Sequence, residues 1–255
     1  MRKEVEVCAY SIESCRAALA AGANRVELCA AMYDGGTTPS AGAIQMAREI
    51  LRGIELFVMV RPRGGDFLYS PDEFEQMRRE IAFIKTMGAD GIVLGVLTES
   101  GEVDVARTRE LVQLAAPMKV TFHRAFDMVK DVHKALEDVV TAGCYRILTS
   151  GQKNTVEEGL QVLEELVQQA NGRIRLMAGS GVNAGNALKI ASTGVDALHL
   201  SGKSTRDSKM TYRNPDVFMG GVPGIPEYEI VYGNADKIKK VICILEDENR
   251  SVGIL

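Results

Sequence analysis

Tryptophan is absent from the sequence, and aromatic residues make up only 5% of its 255 residues. Hydrophobic residues still reach 46%, so the core must be aliphatic, built mainly from Val, Ile, Leu, Met and Ala. No apolar run approaches the length that spans a membrane. Met1-Arg2-Lys3 resembles the start of a signal peptide, but Glu4 and Glu6 interrupt the apolar stretch that must follow. These absences predict a cytoplasmic protein without membrane contact.

A concentrated basic surface is also missing, since the formal net charge is −4. Nucleic acids and anionic membranes bind such surfaces, so neither is expected as a partner, and any anion site must be local. The cysteines form no C-x-x-C pair and are odd in number, which disfavours a disulfide framework or a zinc knuckle and suits a reducing cytosol. They are Cys8, Cys15, Cys29, Cys144 and Cys243.

Short apolar runs alternate with amphipathic segments along the whole chain, which predicts parallel strands joined by helices. No linker rich in Ser, Gly or Pro divides the sequence, so residues 1–255 are predicted to form a single domain. Ser70-Pro71-Asp72-Glu73 and Thr155-Val156-Glu157-Glu158 have the form of capping boxes and predict helix starts. The predicted strands are Val5–Ala9, Arg25–Cys29, Leu56–Val60, Gly91–Leu94, Val120–Phe122, Arg146–Leu148, Leu176–Ala178 and Ala197–Leu200.

An internal repeat predicts that the sheet closes. Gly22, Gly88, Gly143 and Gly194 each stand three residues before an even-numbered strand, at steps of 66, 55 and 51 residues. Four copies of a two-strand unit make eight units, which favours an α/β fold of the (β/α)8 TIM-barrel type. Residues 205–233 are long for a connection and contain Gly and Pro, so they are predicted to form an irregular lid or interface segment.

The repeat also predicts which side chains face the barrel interior. The aligned positions Val26, Ile92, Ile147 and Leu198 are large and aliphatic, as residues under the outer helices should be, so their neighbours point inward. From the even strands the predicted interior residues are Glu27, Val93, Leu148 and His199, followed by Cys29, Gly95, Ser150 and Ser201. From the odd strands they are Glu6, Cys8, Met59, Arg61, Thr121, His123, Met177 and Gly179.

The run from Gly179 to Ala184 has the G-x-G-x-x-A shape of a dinucleotide fingerprint, but the next strand lacks the expected acidic residue at its end, so no organic cofactor is predicted. The run is better interpreted as a phosphate cradle, in which loop amides and a helix that starts at about Asn183 bind an anion. The glycines could instead serve only as tight turns. The candidate anion-binding residues are Arg61, Arg124, Ser150, Gly179, Gly181, Ser201, Gly202 and Lys203.

Titratable residues among the predicted interior positions suggest acid/base chemistry. Glu27, His123 and His199 are candidate catalytic residues, because imidazole titrates near neutrality and a neighbouring carboxylate tunes its pKa. The alternative is that these histidines are only hydrogen-bonded. The arginines could likewise be neutralised: Arg61 by Glu6 or Glu27, and Arg63 or Arg124 by Asp66 or Asp127.

Cys8 and Cys29 end neighbouring predicted strands, which lie about 4.8 Å apart in a sheet. Two thiolates at that separation are able to hold one Cu(I) ion, since soft ligands select soft ions. The alternative is that both are ordinary small core residues.

The chain contains the sequence blocks Val26–Cys29, Gly35–Ser40, Arg61–Phe67, Val120–Asp127 and Leu148–Gly151. With these blocks the sequence resembles the CutC family, which is named for copper homeostasis, over nearly its whole length. The resemblance implies a cytoplasmic (β/α)8 barrel, usually a homo-oligomer such as a dimer or tetramer, with Cu(I) bound by Cys8 and Cys29. It implies no catalytic residues, so an enzyme acting on a small anionic or phosphorylated metabolite at the barrel mouth is the alternative function.

Overall fold

Eight parallel strands close into a barrel in chain order, with the first strand hydrogen-bonded to the last. The structure is a computed structural model that describes residues 3–219 and 224–252, and side chains only as far as residue 248. Met1, Arg2 and residues 220–223 of the predicted 205–233 segment lie outside the described residues. The barrel strands are β1 (Glu4–Ala9), β2 (Arg25–Leu28), β3 (Glu55–Met59), β4 (Gly91–Leu94), β5 (Lys119–Phe122), β6 (Arg146–Thr149), β7 (Arg175–Gly179) and β8 (Ala197–Leu200).

Helices lie between successive strands, and serine or aspartate begins several of them by accepting a hydrogen bond from a first-turn amide. The capping box predicted at Ser70 is confirmed, since Ser70 and Glu73 each accept from the other's backbone amide. The helices are α1 (Ile12–Ala21), α2 (Ala41–Ile50), α3 (Pro71–Thr86), α4 (Val105–Ala115), α5 (Val132–Ala142), α6 (Leu160–Ala170), α7 (Ala187–Ala191) and α8 (Ala235–Val252), with 3-10 turns at Met32–Asp34 and Arg124–Met128.

The helix start predicted at Thr155 is wrong. The Glu158 carboxylate does accept from the Thr155 amide at 3.2 Å, but α6 begins only at Leu160. Two tertiary contacts explain why the helix begins later in the sequence than predicted. The Val156 amide donates to the Ser180 carbonyl, and the backbone of Gly159 packs so closely on the β6 loop that a Cβ there would lie 2.0 Å from the Ser150 carbonyl oxygen. The segment is therefore held against the β6 and β7 loops instead of coiling.

The predicted register of the barrel is confirmed. Val26, Ile92, Ile147 and Leu198 belong to the large apolar cluster between strands and helices. The barrel interior contains two smaller clusters, and at its floor two fully buried arginines pair with glutamates of β1 and β3. One-residue alternation therefore separates an aliphatic outer core from a mixed, partly charged interior. The interior clusters are Cys8, Cys29, Phe57, Met59 and Val93, and Leu148, Met177 and Ala197.

The 205–233 segment was predicted to be irregular, but it contributes to a two-stranded antiparallel sheet of β9 (Lys203–Asp207) and β10 (Glu229–Gly233). The hairpin lies on α1, where the Gly233 amide donates to the Ser14 hydroxyl at 2.9 Å and Arg206 pairs with Glu13. Its role as a lid or interface stays a prediction. In the described part of the chain, no helix combines the length and the apolar character needed to cross a membrane.

Candidate functional site

A cavity of about 530 Å³ opens at the carboxyl ends of the barrel strands. Strand alternation turns polar side chains into it, and the β7 and β8 loops form one of its walls. Many of the residues predicted from the sequence lie around this cavity, which makes it the candidate site. They are Cys8, Glu27, Arg61, His123, Arg124, Gly181, His199, Ser201 and Lys203.

Two thiols meet at the base of this cavity. The Sγ atoms of Cys8 and Cys29 are 3.9 Å apart, and Cys29 Sγ lies 3.5 Å from Glu27 Oε2. Both cysteines are buried, and the loop after β2 passes close to Cys29 at Gly36, whose φ of +97° is a left-handed conformation that favours glycine. The Cys29 thiol has one proton, which it can donate to the Cys8 sulfur or to the Glu27 carboxylate.

His199 completes the cluster from β8. Its Nδ1 atom lies 2.8 Å from Glu6 Oε1, and its Nε2 atom lies 3.7 Å from Glu27 Oε2. Because a carboxylate accepts, Nδ1 carries a proton and donates to Glu6. Glu6 is in turn 3.4 Å from Arg25 of the barrel floor, so the orientation of the imidazole ring is fixed from below.

The cluster favours a thiolate at Cys8. The hydrogen bond from Cys29, aided by His199, holds the pKa of Cys8 well below its ordinary value, although burial opposes this. Burial raises the pKa of Cys29 well above the ordinary thiol value, and the neighbouring Cys8 thiolate adds to the effect. Burial lowers the pKa of His199, but the carboxylates of Glu27 and Glu6 and the Cys8 thiolate reverse this and raise it well above its ordinary value. The arrangement is therefore a thiolate–imidazolium pair.

Glu27 is the group between the sulfurs and the imidazole. Burial, followed by the charge of the Cys8 thiolate, raises the pKa of Glu27 well above that of an ordinary carboxyl. Its Oε1 atom is buried and has no hydrogen-bond partner in the described structure. Cys8, Glu27 and His199 each offer a ligand atom, and these atoms lie within 4.8 Å of one another, which is a separation that suits a single metal ion.

His123 lines the same cavity but bonds to neither Glu27 nor His199. Its Nδ1 atom accepts from the Ala125 amide at 3.1 Å, which places the ring proton on Nε2, an atom without a partner in the described residues. Burial lowers the pKa of His123 to about 3, and the charge of Arg61 contributes. At neutral pH His123 is therefore an uncharged hydrogen-bond donor.

The suggestion that Arg61 pairs with Glu6 or Glu27 is wrong. Arg61 is buried, with 5% of the residue exposed, and its guanidinium donates to three loop carbonyls, those of Asp34, Gly36 and Gly65, at 2.7, 2.9 and 2.8 Å. The Nε atom of this guanidinium has no partner within the part of the chain that the structure covers. Arg61 thus joins two loops at the mouth and keeps its positive charge beside the cavity.

Arg124 and Ser150 both bond to Asp127. For Arg124 this is the alternative predicted above, in which a carboxylate neutralises its charge. Arg124 Nε lies 2.7 Å from Asp127 Oδ2, and the Ser150 hydroxyl donates to the same carboxylate at 3.0 Å. Ser150 is fully buried. Arg63 is neutralised too, by Asp66 at 3.0 Å and by Glu73 at 2.5 Å. These side chains stabilise loops and leave little charge for a ligand.

The remaining anion candidates fall into two groups. Gly179 lies inside β7, where a Cβ would approach Leu148 to 2.7 Å, so its role is packing in the barrel interior. Gly181, Ser201, Gly202 and Lys203 line a second cavity of about 410 Å³ beside the first. The helix predicted to start at about Asn183 begins at Ala187 and has only 5 residues. The Asn186 side chain accepts from the Asn183 amide at 2.8 Å and holds the intervening residues in turns.

Comparison with known proteins identifies the family to which the chain belongs. Residues 3–204 match the model of the CutC family. The chain belongs to the CutC family. It is 50% identical over 248 residues to a "family protein CutC" of Bacteroides fragilis (strain YCH46), covering 97% of this chain and 98% of that protein. It is 43% identical over 244 residues to the "Copper homeostasis protein cutC homolog" of Homo sapiens, covering 95% of this chain and 89% of the human protein.

A solved structure agrees with the assigned family. The crystal structure of the "Putative Copper Homeostasis Protein CutC" from Streptococcus agalactiae superposes with a TM-score of 0.75 at 35% identity, covering 78% of this chain and 98% of that one. The thiol cluster lies within the part of the chain that matches the CutC family model. Helix α8 lies beyond the residues that match the family model.

Sequence reasoning missed three residues of the barrel mouth. Tyr10 lines the cavity of about 530 Å³ together with Cys8, and burial followed by the neighbouring thiols raises its pKa. Lys237 and Lys240 of α8 line the second cavity. A signal for the lysines was present, because the last helix of a barrel begins at the mouth and residues three apart share a helix face.

Proposed function

We propose that this CutC protein is a cytoplasmic, homo-oligomeric copper-homeostasis protein that binds Cu(I) through Cys8 and Cys29. The observation that carries the proposal is the 3.9 Å separation of the two Sγ atoms. With the zinc–thiolate bond of about 2.3 Å as a guide, two sulfurs up to about 4.6 Å apart are able to contact one ion. The human and mouse relatives described as copper homeostasis protein homologs support copper as the cargo.

The donor set fits a soft monovalent ion. Thiolates select Cu(I), and the thiolate form is already favoured at Cys8. His199 Nε2 and the Glu27 carboxylate are the nearest further donors. Burial of both sulfurs restricts access by water and oxidants, so the ion would be held in reduced form.

Anaerobic titration with Cu(I) against a chelator of known affinity tests the proposal. The unmodified protein should take up about one Cu(I) per chain, since one pair of neighbouring thiols is available. Cys8→Ser/Cys29→Ser should lose most of the affinity, whereas Cys243→Ser, an exposed cysteine on α8, should retain it. Equal competition by the double variant and the unmodified protein would exclude this site.

The second candidate is an enzyme that acts on a small anionic or phosphorylated metabolite at the barrel mouth. The observation in its favour is the cavity of about 530 Å³ above Glu27, whose buried Oε1 is unpartnered in the described structure. A carboxyl with a raised pKa can act as a general acid near neutrality, with the His199 imidazolium and the neutral His123 as further donors. Arg61 supplies uncompensated positive charge.

Mass spectrometry of a mixture of small anionic metabolites, incubated with metal-free protein, tests this candidate. A compound consumed by the unmodified protein and spared by Glu27→Gln would support it. Cys243→Ser, which changes an exposed cysteine of α8 and retains Glu27 with its contacts, should keep the turnover. If the unmodified protein consumes no compound, the candidate is rejected while the copper proposal stands.

A further inference from the structure

The cavity beside the thiol cluster is strongly basic. It has a volume of about 410 Å³ and is bordered by residues 181–185 after β7, residues 200–203 at the end of β8, and α8. Three lysines line it, Lys203, Lys237 and Lys240, and none of the described residues in its lining is acidic. In a chain with a net charge of −4, such a one-sided cluster creates a local field that attracts anions.

The lysines are available to a ligand. Within the described residues, no carboxylate oxygen lies within 4.0 Å of any of the three ammonium groups. Lys237 Nζ donates to the Lys203 carbonyl at 3.0 Å, which fixes the start of α8 against β9 and leaves two of its protons free. The α8 lysines and the β9 lysine are thereby held at one cavity.

Backbone amides supplement the lysines. The loop around them is rigid, since the Gly181 carbonyl accepts from the side chains of Asn183 and Asn186, both at 3.0 Å. Gly181 adopts φ +82°, a left-handed conformation that redirects the chain at this point. Several cavity-lining residues have amide groups that donate to no acceptor in the described part of the chain. They are Gly181, Val182, Ala184, Ser201 and Gly202.

The donor chemistry selects phosphate over carboxylate. Planar carboxylates are bound best by the paired N–H groups of arginine, and no arginine is among the described residues that line this cavity. Lysine ammonium groups act as point charges, and amides from two loops can approach the several oxygens of a tetrahedral anion from different sides. α7, with 5 residues, is too short to serve as an anion site by itself.

The two cavities are adjacent. Gly181, Val182, Leu200, Ser201 and Lys203 line both of them. A ligand whose phosphate lay among the lysines could therefore extend its other end into the larger cavity, over the Glu27 carboxyl and the His199 ring. That ligand would be a phosphate monoester of a small polar molecule.

We infer that Lys203, Lys237 and Lys240, with the amides of the β7 and β8 loops, form a binding site for the phosphate group of a small phosphomonoester. The phosphate site is independent of copper binding. Its extension towards Glu27 deepens the second candidate function and rests on it.

Calorimetric titration with inorganic phosphate and with glycerol 3-phosphate, at constant ionic strength and with glycerol as reference, tests the site. Both phosphates should bind, the ester more tightly, and glycerol should not. Lys237→Ala/Lys240→Ala should weaken phosphate binding at least about tenfold, because charge-assisted hydrogen bonds are lost. Lys239→Ala, an exposed lysine of the same helix that does not line the cavity, should bind as the unmodified protein does.

The outcomes separate the proposals. Absence of phosphate binding by the unmodified protein, or equal binding by the double variant, would overturn the inferred site. Phosphate binding without any preference for the ester would overturn its extension towards Glu27. Thermal melting without phosphate verifies that the surface lysine variants are folded. Since all variants retain Cys8 and Cys29, Cu(I) titration of the same samples reports on the copper proposal separately.

Discussion

Glu6 Oε1 lies 2.8 Å from His199 Nδ1, on neighbouring strands that pair at these two residues. This contact decides which imidazole nitrogen faces the sulfurs. Because Nδ1 donates to Glu6, Nε2 is directed to the Cys8 and Glu27 side and is the nitrogen available to a metal ion. Glu6 itself is completely buried and anchored by Arg25, so the barrel floor orients a group at the mouth.

We expect Glu6→Gln to weaken Cu(I) binding about tenfold to a hundredfold, the usual effect of losing a carboxylate that orients a histidine ligand. The amide is neutral and no longer stabilises the ring in its present tautomer. Glu4→Gln is the matched control, since Glu4 pairs with Arg25, Arg146 and Arg175 at the floor without contacting His199. Chelator competition on both variants measures the difference, and equal affinities would show that His199 is not a ligand.

Alkylation of Cys8 by iodoacetamide should reach half its maximal rate at a pH below about 8.5, the ordinary thiol value. The reason is the lowered pKa of Cys8, caused first by the Cys29 hydrogen bond and then by His199. Cys29→Ala and His199→Gln should each move the midpoint to higher pH. Peptide mass spectrometry locates the modification, and Cys144, whose pKa burial raises to about 12, is the unreactive internal reference. Midpoints unchanged in both variants would contradict the thiolate assignment.

The fold and the composition of the candidate site followed from the sequence, because barrel alternation allows little freedom. Once Val26 and Leu198 face the helices, Glu27 and His199 must face inward, and the structure places them 3.7 Å apart. The same reasoning predicted that Cys8 and Cys29 lie at the ends of neighbouring strands.

What escaped sequence reasoning depends on backbone groups and distant partners. The alternative that Glu6 or Glu27 neutralises Arg61 was wrong, because its two Nη atoms donate to loop carbonyls. Every residue has a backbone carbonyl, so the sequence does not show which ones an arginine will contact. Strand β9 is mostly exposed, β10 is partly exposed, and the two are far apart in sequence, so neither has an apolar pattern that indicates a partner. The late start of α6 depends on contacts between Gly159 and the β6 loop that no local propensity encodes.

Gly95→Ala should destabilise the protein by about 1–3 kcal/mol, the usual cost of overpacking a core. A Cβ at this position would lie 2.6 Å from the His123 ring and 2.8 Å from the Ala125 Cβ, so the imidazole must move. Gly42→Ala is the control, for which we expect a change in stability of the opposite sign. Gly42 lies in α2 with nothing within 4 Å of its added Cβ, and alanine should raise the free energy of unfolding by up to about 1 kcal/mol. Urea denaturation of both variants measures the effects, and the same sign in both would refute this packing argument.

His123→Gln should make the protein less sensitive to acid. Burial, aided by Arg61, lowers the folded-state pKa of His123 to about 3, whereas the unfolded value is about 6.5. Between these values the folded state binds fewer protons than the unfolded state. The stability that is present above pH 6.5 is therefore lost as pH falls through this window, by up to about 1.4 kcal/mol per pH unit. Glutamine cannot titrate, and it retains an acceptor for the Ala125 amide.

Unfolding free energies from urea titrations at pH 7 and pH 5 measure this difference. The unmodified protein should lose up to about 2 kcal/mol more than His123→Gln between these pH values, since about 1.5 pH units of the window are crossed. The control is His133→Gln, a half-exposed histidine on α5 that bonds to Gln169 at 2.8 Å. This variant shows how much of any change comes from replacing a histidine outside the cavity. Parallel curves for all three proteins would mean that the folded state accommodates a charged His123, and its neutral role at the cavity would then have to be abandoned.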